Sequence, residues 1–277
     1  MTATATPLAG VIGDPIAHSR SPQLHGHWLK RYGLAGQYVP LHVTSDTLAD
    51  TLRLLPKLGF VGLNVTIPHK EAVIGLADIV TDRAALMGAA NTLIFRKDGK
   101  VHADNTDGYG FIENLRAGAP NWKPGQGPAA VFGAGGASRA VIAALLEAGV
   151  PQILLTNRTR QRAEYLQKEF GTKIVVVDWV KAGNILEDAA TVVNTTSLGM
   201  TGHSELRVPL DGLRGEAVVT DLVYAPMETK LLRDAREIGC TTVDGLGMLL
   251  HQAVPAFERW FGKRPEVDDE LRSAVLA

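Results

Sequence analysis

A glycine-rich turn in the middle of the chain constrains the fold more than any other feature. The apolar run Ala129–Phe132 predicts a buried strand, Ser138–Ala148 predicts a helix, and the turn between them is Gly133, Ala134, Gly135, Gly136 and Ala137. Such glycines permit a tight turn and let the backbone approach a pyrophosphate at the positive end of the helix. Ser138 stands where the strict pattern has a third glycine, and it is still small enough for close packing. The turn predicts a dinucleotide-binding unit.

Strands and helices alternate beyond this turn. Further strands are predicted at Gln152–Thr156, Lys173–Val177, Thr191–Asn194, Ala217–Leu222 and Thr241–Val243, and helices at Gln161–Phe170, Glu228–Ile238 and Gly247–Gly262. Continuously apolar strands separated by helices indicate a parallel sheet covered on both faces. We therefore expect an α/β, doubly wound fold for this part of the chain.

The first third of the chain shows a second set of strands and helices. Strands are predicted at Leu8–Ile12, Tyr38–Val43, Val61–Val65, Thr92–Phe95 and Val101–Ala103. Ser21 precedes Pro22, so we expect Ser21 to cap a helix. Asp98-Gly99 predicts a hairpin turn. Six of the twelve residues of Ala117–Pro128 are Gly or Pro, which makes this segment the best candidate for a linker.

The charge and cysteine content narrow the classes of partner. The 277 residues contain 28 Lys and Arg against 29 Asp and Glu, so no basic field exists to attract nucleic acid or an anionic membrane. Cys240 is the lone cysteine, and no His-Glu-x-x-His string occurs, so neither a disulfide nor a metal is expected. The segment Met1–Gly10 lacks the basic and apolar regions of a signal peptide. We expect a cytoplasmic protein, a monomer or homodimer, with a small-molecule ligand.

The residues after the second strand of the dinucleotide-binding unit indicate which cofactor it takes. An NAD-binding unit has a carboxylate here for the ribose 2′-hydroxyl, but this chain has Asn157, Arg158 and Thr159, with Arg160 and Arg162 close behind. A guanidinium suits a 2′-phosphate because it forms charge-assisted hydrogen bonds with it. The sequence therefore predicts NADP rather than NAD, although a solvated basic helix start is the alternative interpretation of the arginines.

Several polar motifs, most of them in the first third, lie at or near predicted strand ends, where open α/β sheets bind ligands. With these motifs the chain resembles the shikimate dehydrogenase family over residues 8–267. The motifs are His18-Ser19-Arg20-Ser21-Pro22, Asn64-Val65-Thr66 with Lys70, Gly88–Thr92, Asp104-Asn105-Thr106-Asp107-Gly108, Gly133–Arg139, Asn157-Arg158-Thr159, Asn194–Ser197, and Gly245–Leu249 with Gln252.

The resemblance implies reversible, NADPH-dependent reduction of 3-dehydroshikimate to shikimate, a step of aromatic amino-acid biosynthesis. It also implies two domains. Residues 1–107, completed by 246–277, form a substrate domain, and residues 108–245 form a Rossmann-like NADP-binding domain between them. The return of the C-terminal helices to the first domain follows from the resemblance alone.

The resemblance also implies a role for each matching residue. Lys70 and Asp107 form the catalytic pair. The substrate site comprises Ser19 and Ser21 at the substrate carboxylate, Thr66, Asn91, Asp107 and Gln252 at its hydroxyls, and Tyr224 at its edge. The cofactor site comprises Asp82, Gly133, Ala134, Gly135, Gly136, Ala137, Asn157, Arg158, Thr159, Arg162, Asn194, Leu222, Gly245 and Met248.

The chemistry leaves the role of Lys70 open between two alternatives. Hydride transfer to a ketone builds negative charge on oxygen, and a lysine ammonium can donate a proton to it. A neighbouring carboxylate such as Asp107 favours the charged lysine, which suits a positioned charge and hydrogen-bond donor equally well.

The sequence disfavours three other functions. An NAD-preferring quinate/shikimate dehydrogenase is disfavoured by Arg158, and a non-catalytic sensor of shikimate or NADP has no need of both Lys70 and Asp107. A glutamyl-tRNA reductase, the remotest alternative, needs a basic surface and a nucleophilic cysteine, and the sequence indicates neither.

Overall fold

The computed structural model describes residues 6–277, and the chain forms two compact units. One unit comprises the described part of Met1–Thr106 together with Gln252–Ala277, and the other is Asp107–His251. The expectation that Met1–Gly10 is no signal peptide concerns in part residues 1–5, which lie outside the described residues. Among the described residues, no helix is both long and apolar enough to cross a membrane.

The first unit contains a mixed six-stranded sheet. Its elements are β1 (Leu8–Gly13), α1 (Ser21–Arg31), β2 (Gln37–His42), α2 (Leu48–Leu54), β3 (Phe60–Val65), β4 (Ile79–Val80), α3 (Asp82–Met87), β5 (Thr92–Phe95) and β6 (Val101–Asp104), with short 3₁₀ helices at Leu55–Leu58 and Ala72–Leu76. The strand order is β2-β1-β3-β5-β6-β4. β1 is parallel to β2 and β3, whereas β5 is antiparallel to β3 and β6. The hairpin predicted from Asp98-Gly99 joins β5 to β6, as expected.

The second unit contains a parallel six-stranded sheet. Its elements are α4 (Asp107–Gly118), β7 (Ala129–Phe132), α5 (Gly136–Ala148), β8 (Ile153–Asn157), α6 (Arg160–Phe170), β9 (Ile174–Asp178), β10 (Thr191–Asn194), β11 (Val218–Asp221), α7 (Lys230–Ile238) and β12 (Thr241–Val243), with 3₁₀ segments at Pro124–Gln126 and Trp179–Leu186. The order is β12-β11-β10-β7-β8-β9, and every adjacent pair is parallel. Buried apolar side chains form two separate clusters in this unit, one built around Val131 and one around Phe132. Because consecutive strand residues face opposite sides of a sheet, both faces of the sheet are covered, which confirms the predicted α/β class.

The helices α8 (Leu246–Phe261) and α9 (Asp269–Leu276) end the chain, and residues from Gln252 onward belong to the first unit. Trp260 donates from Nε1 to the carbonyl of Leu93 in β5 at 3.2 Å. A Cβ atom on Gly62 of β3 would lie 1.9 Å from Nε1 of Trp260, so only glycine leaves room for this indole. Phe257 packs edge-on against Trp28 of α1, with ring centroids 5.1 Å apart. These contacts hold the end of the chain against the first sheet.

Two expectations drawn from local patterns are wrong. Ser21 is the first residue of α1, the cap position is Arg20, and no side chain caps the helix; instead Oγ of Ser19 accepts from the backbone N of Ser21 at 3.3 Å. The Gly- and Pro-rich segment Ala117–Pro128 lies within the second unit and is no linker between the units. Trp122 ties this segment to β10, because its Nε1 donates to Oγ1 of Thr191 at 3.0 Å.

Candidate active site

Four strand ends of the first sheet meet at one edge, next to several of the predicted substrate residues. The pairing of β1 with β3 places Ile12 beside Val65, and Thr92 lies opposite both Asn64 and Asp104. The ends of β1, β3 and β6 therefore meet the start of β5. Ser19 and Ser21 follow β1, Thr66 follows β3, and Asn91 precedes β5.

The side-chain amide of Asn91 is fixed by several hydrogen bonds. Its Oδ1 accepts from the backbone N of Thr106 at 2.9 Å, from Oγ1 of Thr106 at 3.1 Å and from Oγ1 of Thr92 at 3.0 Å. A backbone N–H can only donate, so the amide orientation is unambiguous. Its Nδ2 donates to Oε1 of Gln252 in α8 at 3.1 Å. Asn91 is 3% exposed, so these bonds also satisfy a buried polar group.

The backbone joins Lys70 and Thr66 to the same edge. The carbonyl of Lys70 accepts from the N of Ala90 at 2.8 Å, and the carbonyl of Asn91 accepts from the N of Val65 at 2.9 Å. The N of Thr66 donates to the carbonyl of Ile12 in β1 at 3.0 Å. The first unit thus brings together Thr66, Lys70, Asn91 and Gln252, with Lys70 half-buried.

A buried chain of hydrogen bonds lies behind Ser21. The Tyr38 hydroxyl donates to Oδ1 of Asn64 at 2.7 Å, and Nδ2 of Asn64 donates to the carbonyl of Asn91 at 3.1 Å. Burial raises the pKa of Tyr38, and a hydrogen bond with the Ser21 side chain opposes this only in part. Tyr38 is therefore a neutral phenol that links the Ser21 loop to Asn91.

Arg20, between the two serines, is held by the end of the chain. Its Nη1 donates to the carbonyl of Val275 in the last turn of α9 at 2.5 Å. A cation is favoured at the C-terminal end of a helix, where carbonyls lack partners. The loop that carries Ser19 and Ser21 is thereby attached to α9.

The glycine turn of the second unit has the shape that a dinucleotide needs. Gly133 has φ 108°, and a Cβ atom there would lie 2.6 Å from Oγ1 of Thr195, so only glycine fits. A Cβ atom on Gly135 or Gly136 would meet no protein atom within 4 Å, so the start of α5 is open. Oδ1 of Asn157 accepts from the N of Ala134 at 3.1 Å and holds the turn. Ala137 is exposed in the first turn of α5.

The residues predicted for the 2′-phosphate follow β8, beside this turn. Arg158, Thr159 and Arg162 are exposed. Arg160 donates instead to the carboxylates of Glu164 and Asp178. The cationic residues that remain for an anion at this loop are Arg158 and Arg162.

A third group of predicted cofactor residues lies at the ends of β10 and β11. The two carboxylate oxygens of Asp221 accept hydrogen bonds. Nδ2 of Asn194 donates to Oδ1 of Asp221 at 2.9 Å, and Oγ1 of Thr229 donates to Oδ2 of Asp221 at 2.7 Å. Burial raises the pKa of Asp221, and hydrogen bonds to the carboxylate oppose this. A Cβ atom on Gly245 would lie 2.3 Å from the carbonyl oxygen of Leu222, so Gly245 packs directly on this backbone.

Leu222 and Met248 pack against the same hydrophobic cluster of the second unit, and Tyr224 is 36% exposed. The predicted cofactor residues of the second unit therefore lie at the turn after β7, in the loop after β8 and near the ends of β10, β11 and β12.

Some of the predicted assignments combine residues of both units. Asp82 begins α3 in the first unit, whereas the other predicted cofactor residues belong to the second unit. Lys70 belongs to the first unit, and Asp107 is the first residue of α4 in the second unit. Their catalytic pairing stays a prediction.

Four residues that support the site were not predicted from the sequence: Tyr38, Asn64, Asp104 and Thr106. Three of them, Asn64, Asp104 and Thr106, stand within the polar motifs, which could have identified them. Tyr38 lies in a predicted strand, where an aromatic residue is ordinary, and only the pairing of β1 with β2 and β3 brings it to Asn64.

Three family models match the chain in order. The shikimate dehydrogenase substrate binding domain matches residues 11–93, the shikimate / quinate 5-dehydrogenase model matches residues 125–201, and the shikimate 5'-dehydrogenase C-terminal domain matches residues 245–269. The matches cover both units described above.

Curated relatives and solved structures agree with these models. The chain is 72% identical over 274 residues to a shikimate dehydrogenase (NADP(+)) of Cereibacter sphaeroides, covering 99% of this chain and 98% of the relative. It is 38% identical, with a TM-score of 0.85, to the shikimate 5-dehydrogenase of Thermus thermophilus in complex with NADP(H) and shikimate, covering 97% of this chain and 98% of that one. It is 34% identical, with a TM-score of 0.89, to the quinate dehydrogenase of Corynebacterium glutamicum in complex with NAD, covering 98% of this chain and 99% of that one.

Proposed function

Because the chain belongs to the shikimate dehydrogenase family, a family of oxidoreductases, we propose that it catalyses the reversible NADPH-dependent reduction of 3-dehydroshikimate to shikimate. The observation that carries this proposal is the polar edge of the first sheet, where the oriented amide of Asn91 donates to Gln252 beside Thr66 and the backbone of Lys70. Such a set of donors and acceptors suits a small ligand with several hydroxyl groups.

In this proposal the two units have separate tasks. The first unit binds the substrate, with Ser19 and Ser21 at its carboxylate and Thr66, Asn91 and Gln252 at its hydroxyls. Tyr224 and Asp107, which belong to the second unit, stay predicted substrate residues. The enzyme works in the cytoplasm as a monomer or a homodimer.

The second unit holds NADP(H), which supplies the hydride when bound. The residues present fit this cofactor, since the open backbone at Gly135 and Gly136 leaves room for a pyrophosphate at the start of α5. Arg158 and Arg162 provide guanidinium groups for a 2′-phosphate. Asn194, Leu222, Gly245 and Met248 border the nicotinamide, and Asp82, which belongs to the first unit, stays a predicted cofactor residue.

Lys70 acts where negative charge develops on the carbonyl oxygen of the substrate. Its ammonium group donates a hydrogen bond to that oxygen and delivers a proton as the alcohol forms. Asp107, the other member of the predicted catalytic pair, orients the substrate. In the oxidation direction the same lysine receives the proton of the alcohol.

Steady-state rates with shikimate and with quinate, at saturating NADP, test this proposal. We expect rapid reduction of NADP by shikimate and at least tenfold lower kcat/KM for quinate, about 1.4 kcal/mol of discrimination. Equal turnover of quinate contradicts the substrate assignment and favours a quinate/shikimate dehydrogenase. Calorimetric binding of shikimate and NADP without turnover contradicts enzymatic function and favours a sensor of these molecules.

A further inference from the structure

Arg83 and Asp104 form an ion pair beside the substrate edge of the first sheet. Nε of Arg83 donates to Oδ1 of Asp104 at 2.6 Å, and Nη2 donates to Oδ2 at 2.5 Å. The Asp104 side chain is 3% exposed, and the Arg83 side chain is 50% exposed. The contact therefore joins a half-exposed guanidinium to a buried carboxylate through two parallel hydrogen bonds, a geometry specific to arginine.

Two more donors complete the surroundings of this carboxylate. Oγ1 of Thr81 donates to Oδ1 of Asp104 at 2.8 Å, and the backbone N of Asn105 donates to the same oxygen at 2.8 Å. Burial alone raises the pKa of Asp104, but the hydrogen bonds from Arg83 and Thr81 outweigh it and hold the pKa below its usual value. The carboxylate is ionised at neutral pH, and it fixes the backbone that leaves β6.

That backbone holds Asn91 from two sides. The carbonyl of Asp104 accepts from the N of Asn91 at 3.1 Å. Two residues later, the N of Thr106 donates to Oδ1 of Asn91 at 2.9 Å. Asp104–Thr106 thus sets both the main-chain position and the amide orientation of Asn91.

We propose that Arg83 and Asp104 are positioning residues for substrate binding: their ion pair fixes the segment Asp104–Thr106 and, through it, the amide of Asn91. The inference rests on the proposed function, because it assumes that Asn91 binds the substrate. Stability alone explains such a pair poorly, since the desolvation of a buried carboxylate cancels much of the Coulombic gain. An ion pair that fixes the orientation of the Asn91 amide performs a role that apolar side chains could not perform.

The test uses two variants that avoid an unpaired buried charge. Arg83→Lys keeps the charge and loses the two-bond geometry. The double variant Arg83→Met/Asp104→Asn removes both charges, and its new amide oxygen still accepts from Thr81 and Asn105. Arg96→Met is the matched control: Arg96 also donates to an aspartate, Asp98, but at the other end of the β5–β6 hairpin, and both side chains are exposed.

We expect both variants to raise the KM for shikimate about tenfold, which corresponds to about 1.4 kcal/mol. The KM for NADP and all parameters of Arg96→Met should change less than twofold. A fall in melting temperature with an unchanged KM for shikimate, measured well below that temperature, shows a purely structural pair and overturns the inference. An equal rise in the KM for NADP overturns it as well.

A second readout needs no enzymatic activity. The side-chain amide resonances of Asn91, assigned in nitrogen-15-labelled protein by their loss in Asn91→Asp, should shift in both Arg83 variants without ligand and stay unchanged in Arg96→Met. Unchanged Asn91 resonances overturn the positioning role. A wild-type protein that does not oxidise shikimate contradicts the proposed function instead, so the two failures are distinguishable.

Discussion

The side-chain Nδ2 of Asn91 donates to Oε1 of Gln252 at 3.1 Å, although 161 positions separate the two residues in the sequence. Oδ1 of Asn91 is occupied by donors from Thr92 and Thr106, so the direction of this bond is fixed. Asn91 therefore also determines that Oε1 of Gln252 acts as an acceptor here. The end of the chain joins the start of β5 through this contact.

We predict that Asn91 and Gln252 act as a unit in substrate binding. Asn91→Ala and Gln252→Ala should each lower kcat/KM for shikimate, and the double variant should lose less than the sum. The coupling free energy in a double-mutant cycle should lie at about 0.5–3 kcal/mol, as for residues in contact. Additive losses contradict a shared hydrogen bond.

Lys70→Met should lower kcat about 100-fold or more, because the group that stabilises the developing alkoxide is lost while the apolar part of the side chain remains. The KM for shikimate should change less than about threefold, since the interactions that bind the substrate and the transition state equally are retained. Lys97→Met, in the exposed turn of the β5–β6 hairpin, is the control. A variant of Lys70 with a raised KM and an unchanged kcat shows a binding role only.

Gly135→Ala should separate cofactor binding from stability. The Cβ atom of an alanine at this position would meet no protein atom within 4 Å. Gly135 has φ −103°, so alanine is accommodated without strain. The free energy of unfolding should change by less than about 1 kcal/mol. The KM for NADP should rise at least tenfold, because the methyl group occupies the space for the pyrophosphate.

Gly133→Ala is the contrasting variant. Its positive φ of 108° and its contact with Thr195 should destabilise the second unit, which denaturant unfolding will show. An unchanged KM for NADP in Gly135→Ala would show that the dinucleotide does not bind at the turn after β7.

Arg158→Ala should reduce the preference for NADP over NAD. A lost charge-assisted hydrogen bond to a phosphate costs about 1.5–3 kcal/mol, so kcat/KM for NADP should fall at least tenfold while that for NAD stays constant. Arg160→Ala is the matched control, because Arg160 already pairs with Glu164 and Asp178. Equal losses with both cofactors contradict recognition of a 2′-phosphate by Arg158.

His25 should make stability depend on pH. It is fully buried, and its ring stacks on that of Tyr38 with centroids 4.0 Å apart. Burial lowers the pKa of His25 to about 3, from 6.5, and an interaction with Asn64 opposes this only in part. Between these two pH values His25 is protonated in the unfolded chain but neutral in the folded protein. The free energy of unfolding therefore decreases as the pH falls below about 6.5, by up to about 1.4 kcal/mol per pH unit.

Urea unfolding between pH 5 and pH 7 measures this slope. His25→Phe should reduce the slope, and His18→Phe, at an exposed histidine, should keep it. An identical slope in wild type and His25→Phe contradicts a neutral buried His25.

The second sheet was predictable because its strands are short, apolar runs and the turn after β7 is rich in glycine. The elements that local patterns missed depend on long-range contacts. β4 has only two residues, Ile79 and Val80, and it exists because it pairs with β6. The packing of α8 on the first sheet depends on Trp260 and Gly62, which are distant in sequence.

The motifs indicate which residues belong to the candidate site, and those assignments stay predictions. The contacts among these residues could not be predicted from the motifs. Nothing in the sequence pairs Arg83 with Asp104 or directs the amide of Asn91. Those relationships follow from the antiparallel pairing of β5 and β6, which brings Thr92 opposite Asp104. His25 in α1 packs against the rings of Tyr38 and Phe257, which are distant in the sequence.

The central claim, NADP-linked oxidation of shikimate, is tested most directly by kcat/KM for NADP and for NAD in parallel, with shikimate saturating and nicotinamide reduction followed by absorbance. We predict rapid reduction of NADP and a kcat/KM at least about 100-fold lower with NAD, corresponding to about 2.7 kcal/mol. Equal values for the two cofactors, or no reduction of either by a folded protein, contradict the account.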